Sequence, residues 1–252
     1  MKNRLLIICS CLVIAVGLTS FVIKDHEITI FLIGDSTLAN KPYSGSNPEK
    51  GWGQVFGLYF KDGVRVENHA LNGRSTKSFR DEGHWDKVHE NIQPGDYVLI
   101  EFGHNDQKDK SPERYAAPDT DYRNNLIRYI KETYEKGGKP ILATPISRRS
   151  FDENGVLVDT HGRYSEVVRE VAEEYDLPLF DMHKKTIEVL EQFGVEKSKE
   201  LFLHYRPGDY ERFPEGREDD THLSPTGAFK FCDLAVEELK RELPELVIFL
   251  KE

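Results

Sequence analysis

Residues 28–36, Ile-Thr-Ile-Phe-Leu-Ile-Gly-Asp-Ser, constrain the fold of this chain more than any other stretch. The run is apolar, rich in β-branched residues and closed by Gly34, the pattern of a buried strand. Ser36 follows two residues after the strand stops. In an open α/β sheet the carboxyl ends of the strands are where ligands bind. A serine presented there can be a nucleophile, but only with a base beside it. The competing reading is a turn in which Asp35 or Ser36 caps the next helix. The remainder of the chain has to decide between them.

Four further stretches read as strands. Residues 64–70 alternate, residues 97–102 and 140–144 are apolar runs, and residues 177–180 form a short one. Between them lie segments with apolar residues at three-to-four spacing: 51–60, 84–92, 120–136, 163–175 and 181–193, with 225–243 closing the chain. Gly137-Gly138 ends one of these helices and Pro225 starts another. Asn154-Gly155 between hydrophobic neighbours is a hairpin signal, and residues 203–217 read as a long irregular loop. Five alternations of strand and helix imply a parallel sheet with helices on both faces. The expected fold is therefore α/β, a three-layer α/β/α sandwich around a five-stranded parallel sheet of order 2-1-3-4-5. No repeat, low-complexity tract or internal domain boundary interrupts it.

Length and charge limit what such a domain does. A chain of 252 residues with 31% charged and 38% hydrophobic residues suits one globular α/β domain. A net charge of −10 argues against nucleic acid or an anionic membrane surface as partner. Lys2, Arg4 and the apolar run of residues 5–18 have the shape of a signal peptide. Residues 1–23 are thus expected to export the chain to a periplasmic or extracellular location, or, if uncleaved, to anchor it to a membrane. Residues 24–252 form the single folded domain. Without the leader only Cys232 remains, so the domain has no internal disulfide, and about 230 residues are enough for a core without one. A monomer is expected.

Four short segments fall at strand ends or in loops: Gly34-Asp35-Ser36, residues 68–73 with Gly73, Gly103-His104-Asn105-Asp106, and Asp219-Asp220-Thr221-His222. In a 2-1-3-4-5 sheet the first three strands are neighbours, and residues about 70 apart in sequence converge on one crevice. His222 is the candidate base for Ser36, and Asp219 is placed to orient its other ring nitrogen, with Asp220 as an alternative. An oxyanion formed by attack on an ester needs donors aimed at it. The backbone N–H of Ser36, the backbone N–H of Gly73 and the side-chain amide of Asn105 are available.

These residues resemble the SGNH, or GDSL, hydrolases, whose name lists Ser36, Gly73, Asn105 and His222 in this order; the family's acid falls at Asp219. The resemblance spans about residues 28 to 240. Thr37 departs from the Leu of the family name. The chain is more closely similar to rhamnogalacturonan acetylesterases through Gly34-Asp35-Ser36-Thr37, Gly51-Trp52-Gly53-Gln54, Asn72-Gly73-Arg74-Ser75-Thr76-Lys77-Ser78-Phe79, Gly103-His104-Asn105-Asp106 and Asp220-Thr221-His222-Leu223-Ser224. The resemblance implies a serine esterase that removes acetyl groups from a pectic polysaccharide through an acetyl-enzyme. An esterase, lipase or thioesterase acting on another acyl ester and a catalytically silent glycan-binding module are the competing functions.

Trp52 and Arg74 are candidate contacts for a sugar face or uronic acid, the alternatives being a core aromatic and a surface charge. Residues 204–217, with Tyr205, Arg206, Tyr210 and Arg212, are expected to wall the cleft. Asp35 and Asp106 read as loop-holding residues, and His69 as a histidine satisfied by a neighbour. Asp181 and His183 suggest a metal, but no third ligand is evident, so no metal or other cofactor is expected.

Overall fold

The computed structural model describes residues 27–44 and 46–252. The expected leader, residues 1–23, lies outside the described residues. Five strands form one parallel sheet: β1 (Ile28–Gly34), β2 (Val64–Asn68), β3 (Tyr97–Glu101), β4 (Lys139–Ala143) and β5 (Leu179–Phe180). Their order is β2-β1-β3-β4-β5, the order expected. The β1 register sets Leu32 beside Asn68 on one side and Leu99 on the other.

Successive strand residues point to opposite faces, and here both faces are covered. Ile30 and Leu32 of β1 join a core with α1 (Trp52–Phe56), α6 (Met182–Lys197) and α7 (Pro225–Glu242). Phe31 and Ile33 join a second core with α2 (Thr76–Asp81), α3 (His84–Asn91), α4 (Arg123–Glu135) and α5 (Arg163–Glu174). This is why β1 reads as an unbroken apolar run instead of an alternating one. Cys232 is buried in α7 without a disulfide partner. Among the described residues no helix is long and apolar enough to cross a membrane.

Two features depart from the expected elements. A short capped helix, α2, follows Ser75, whose hydroxyl accepts from the Ser78 N–H while Ser78 reciprocates. Six residues lacking a clear apolar stripe gave no periodic signal for it. The stretch 203–217 is not simply a loop. β6 (Phe202–Tyr205) and β7 (Arg217–Leu223) pair antiparallel as a separate two-stranded ribbon. Its register jumps: Leu203 faces Asp219, yet the adjacent Phe202 faces Leu223. Residues 220–222 are therefore extruded as a bulge. The charged sequence of β7, Arg-Glu-Asp-Asp-Thr-His-Leu, hides the strand from a hydrophobic pattern.

Candidate active site

Gly34 ends β1 because nothing larger fits. A Cβ there would lie 2.5 Å from the carbonyl oxygen of Glu101 on β3. The next residue, Asp35, is fully buried and ties the turn down, its Oδ1 accepting the N–H and the hydroxyl of Thr37, each at 3.0 Å. Burial alone would raise its carboxyl, but His104, with Nδ1 at 3.4 Å, and the two Thr37 bonds bring it down to about 2. Asp35 is thus a buried anion that fixes the loop, and Ser36 is held above it.

The bulge in β7 brings His222 to the serine. Asp219 Oδ1 accepts the backbone N–H of Thr221 and of His222, both at 2.9 Å, which folds the extruded residues back over it. His222 Nδ1 then lies 2.9 Å from Asp219 Oδ2, and its Nε2 lies 3.1 Å from Ser36 Oγ. A carboxylate only accepts, so Nδ1 carries the proton and Nε2 is left to accept from the Ser36 hydroxyl. Burial works against charge on Asp219, but the His222 ring and backbone donors, with Arg217 behind them, hold its carboxyl far below the usual range. Arg217 Nη2 reaches Asp219 Oδ2 at 2.6 Å.

Asp220 is excluded from that role by its own partners. Its Oδ1 takes the Arg149 guanidinium at 2.8 Å and His204 Nε2 at 2.7 Å. Arg149 is buried beneath the bulge, where it also reaches Ser198 Oγ and the carbonyl of Val195.

The donors expected for an oxyanion converge on the same cleft, a space of about 370 Å³ that Ser36, Gly73, Asn105, Asp219 and His222 help to line. Gly73 takes φ +75°, a conformation open to glycine and costly for other residues. Neither its N–H nor that of Ser36 is bonded to another described residue. Asn105 uses one amide hydrogen on the Arg74 carbonyl at 3.0 Å, and its oxygen accepts from Lys108 Nζ at 2.8 Å. Its second hydrogen is unused. Asp106 joins this loop to the previous one: its Oδ1 accepts the N–H and hydroxyl of Thr76 at the start of α2. Burial raises the Asp106 carboxyl to about 7. On the far side of the Gly73 loop, Lys41 Nζ holds Asn72 Oδ1 at 2.5 Å and Glu49 at 2.7 Å.

The expected substrate contacts fare differently. Trp52 is fully buried, its indole N–H on Glu101 Oε2, so its ring has no face for a sugar. It is a core aromatic, and this corrects its reading as a contact. The Arg74 guanidinium is committed to Glu82 and the Asn72 carbonyl, off the cleft wall. Tyr205 turns back to pack on Tyr210 with ring centres 4.5 Å apart, and Arg206 is at the exposed ribbon tip; neither lines the cleft. The ribbon does wall it, but through Leu203, Arg212, Phe213 and Arg217. Glu49, Asn72 and Lys108 complete the lining; Asn72 lies in the motif around Gly73, while sequence spacing gave no cue to the other two beyond Lys108 lying three residues after Asn105.

His183 does find two potential co-ligands, though Asp181 is not one of them. Ligand atoms of Asp159, His161 and His183 lie within 4.8 Å of one another. The positions are already used: Asp159 Oδ1 accepts from His183 Nε2 and from the His161 and Gly162 N–H groups. Arg148 and Arg169 approach the two rings at 3.5 and 3.4 Å, bringing positive charge where a cation would need to sit. Asp181 instead caps α6 and binds Arg169. His69 pairs with Glu67 at 3.1 Å.

Comparison with known proteins agrees with this geometry. The model of the GDSL-like lipase/acylhydrolase family matches residues 32–228. Rhamnogalacturonan acetylesterase RhgT of Bacillus subtilis is 41% identical over 213 residues, 84% of this chain and 90% of the relative. A probable rhamnogalacturonan acetylesterase of the same organism, YesY, is 34% identical over 222 residues, 87% and 97% of the two chains. Among solved structures, Bacillus subtilis YxiM superposes with a TM-score of 0.72 at 28% identity, over 85% of this chain and 56% of that one. A variant of the acetyl-xylooligosaccharide esterase Axe2 of Geobacillus stearothermophilus shares the fold with a TM-score of 0.60 at 21% identity, over 84% and 94%. A family match that begins within β1 and closes on α7, enclosing all the residues gathered around Ser36, makes this chain a member of the GDSL-like lipase/acylhydrolase family.

Proposed function

We propose that the chain is a carbohydrate esterase that removes acetyl groups from rhamnogalacturonan or a closely related pectic polysaccharide. The observation that carries this is the unbroken relay from Asp219 through His222 to Ser36, set beside two backbone N–H groups that have no acceptor among the described residues. The acetyl carbonyl carbon enters above Ser36 Oγ. Oγ attacks while its proton passes to His222 Nε2. The resulting oxyanion accepts from the Ser36 and Gly73 N–H groups and from the free Asn105 hydrogen. Collapse expels the sugar oxygen, which takes the proton from His222 and leaves acetyl-Ser36. Water then gives a proton to the same nitrogen and attacks the acetyl carbon; acetate departs and Ser36 recovers its hydrogen.

The lining favours a polar sugar over a long acyl chain. Glu49, Asn72, Lys108, Arg212 and Arg217 surround the cleft and leave no continuous apolar wall. The 41% identity to RhgT supports the pectic substrate in particular. Export fits a polymeric substrate and is supported by the charged start and apolar run of residues 2–18. Acetate release from acetylated rhamnogalacturonan, measured beside acetylated xylan, tests the proposal. The pectic substrate should be the faster, and Ser36→Ala should reduce release to background with the melting temperature unchanged. Release that survives Ser36→Ala would refute the mechanism, and a preference for xylan would refute the substrate.

A further inference from the structure

The cleft above Ser36 carries a charge opposite to that of the whole chain. The chain has a net charge of −10. Yet the acidic groups lining the cleft are already neutralised, Glu49 by the buried Lys41 at 2.7 Å and Asp219 by Arg217 at 2.6 Å. Arg217 is spent on Asp219, but the other two lining cations, Lys108 and Arg212, are not compensated. Among the described residues Lys108 Nζ bonds only to the neutral amide oxygen of Asn105. Arg212 enters from the ribbon tip and makes no hydrogen bond or ion pair with any described residue; its guanidinium stands 6.0 Å from the Phe213 ring centre. A further cation, Arg114, backs the oxyanion corner, where a Cβ on Gly73 would lie 3.6 Å from its Nη1; its Nε faces the exposed Glu113 at 3.4 Å, a pair that solvent screens. Partial burial, then the charges of Arg114 and Arg148, lower the Lys108 ammonium from its ordinary value, as expected where like charges crowd.

A concave site with uncompensated positive charge draws an anion. A planar guanidinium with its donors unengaged matches a carboxylate two bonds at a time. Acetyl groups carry no charge, so the anion belongs to the sugar chain around the ester. We propose that Arg212 reads the carboxylate of a uronic acid unit beside the acetylated sugar, with Lys108 and Arg114 supplying the field that draws it in. This rests on the acetylesterase reading above and names what that site discriminates. Arg212 replaces Arg74 as the uronate contact, because Arg74 is spent on Glu82.

The test uses the whole protein and one acetylated galacturonate–rhamnose oligosaccharide in two forms, with free and with methyl-esterified carboxylates. At low salt kcat/KM should be about tenfold higher on the free acid, a gap of the size expected for a charge-assisted contact in a partly exposed site. About 0.5 M salt should shrink that gap. Arg212→Gln should remove most of it, and Arg212→Lys should keep part. Arg212 makes no hydrogen bond or ion pair with any described residue, so the variants should melt like the parent. A parent indifferent to esterification, or an Arg212→Gln variant that keeps the full preference, would overturn the subsite. Hydrolysis of 4-nitrophenyl acetate with no acetate released from either oligosaccharide would overturn the polysaccharide reading, and the subsite with it.

Discussion

Asn105 offers the sharpest test of the oxyanion corner because each of its side-chain atoms has a separate task. Its oxygen holds Lys108 Nζ, one amide hydrogen holds the Arg74 carbonyl, and the second is free to meet developing charge. Asn105→Ala removes one of three donors, which costs about 2.7–4 kcal/mol in the transition state, or about 10²–10³ in kcat. It also leaves the Arg74 carbonyl without its donor, a cost of about 1 kcal/mol that lowers the melting temperature by about 2–4 °C in a domain of this size. Asn105→Asp keeps the volume and the acceptor for Lys108 but has no hydrogen to give when ionised. It further sets a negative charge beside the site of a second one, so it should be slower than the alanine variant. The assay is kcat and KM on 4-nitrophenyl acetate, with melting followed by circular dichroism. The expected order of kcat is parent, alanine, aspartate, with KM little changed. A loss below tenfold in a folded alanine variant would refute the donor role. Equal rates for the two variants would refute the charge argument.

Asp219→Asn should lower kcat by about 10⁴, since the imidazole loses the partner that fixes its tautomer; pre-steady-state kinetics should show the acylation step affected. Arg149→Met leaves Asp220 and the Val195 carbonyl without their buried donor, and should cost about 2–3 kcal/mol, read as a fall of about 5–10 °C in melting temperature. Asp106 makes stability depend on pH. Its folded value of about 7 lies above the usual carboxylate value of 3.8, so the native state holds the proton more tightly. That contribution is complete below pH 3.8 and is lost as pH rises through 7, by at most about 4 kcal/mol. Asp106→Asn keeps an acceptor for Thr76 and should flatten this dependence in urea titrations between pH 4 and 8; an unchanged slope would count against it.

The strands of the sheet were legible because strands covered on both faces carry largely apolar runs, and residues 28–34 and 97–101 are such runs; their order came from the doubly-wound pattern that alternating strands and helices favour. Ser36, Gly73 and Asn105 were legible for the same reason: each follows a strand that the pattern located. The ribbon was not, because β7 is built from charged residues and paired by a jump in register that no periodicity records. Trp52 misled as a sugar contact because a tryptophan amid glycines reads alike in a binding loop and in a core; only its bond to the buried Glu101 separates the two. Arg217 and Lys108 act through a single atom each, on Asp219 and Asn105, and such pairings exist only once the loops are folded.

Ser36, Gly73 and Asn105 belong to the central sheet and its loops, whereas His222 and Asp219 come from the two-stranded ribbon, whose base is buried in the same core: Phe202 and Leu223 are covered, and Phe202 packs on Phe231 of α7. The seam between ribbon and sheet is therefore what holds the imidazole over the hydroxyl. Loosening it at a distance from the chemistry, as with Phe202→Ala, should cost turnover as well as stability.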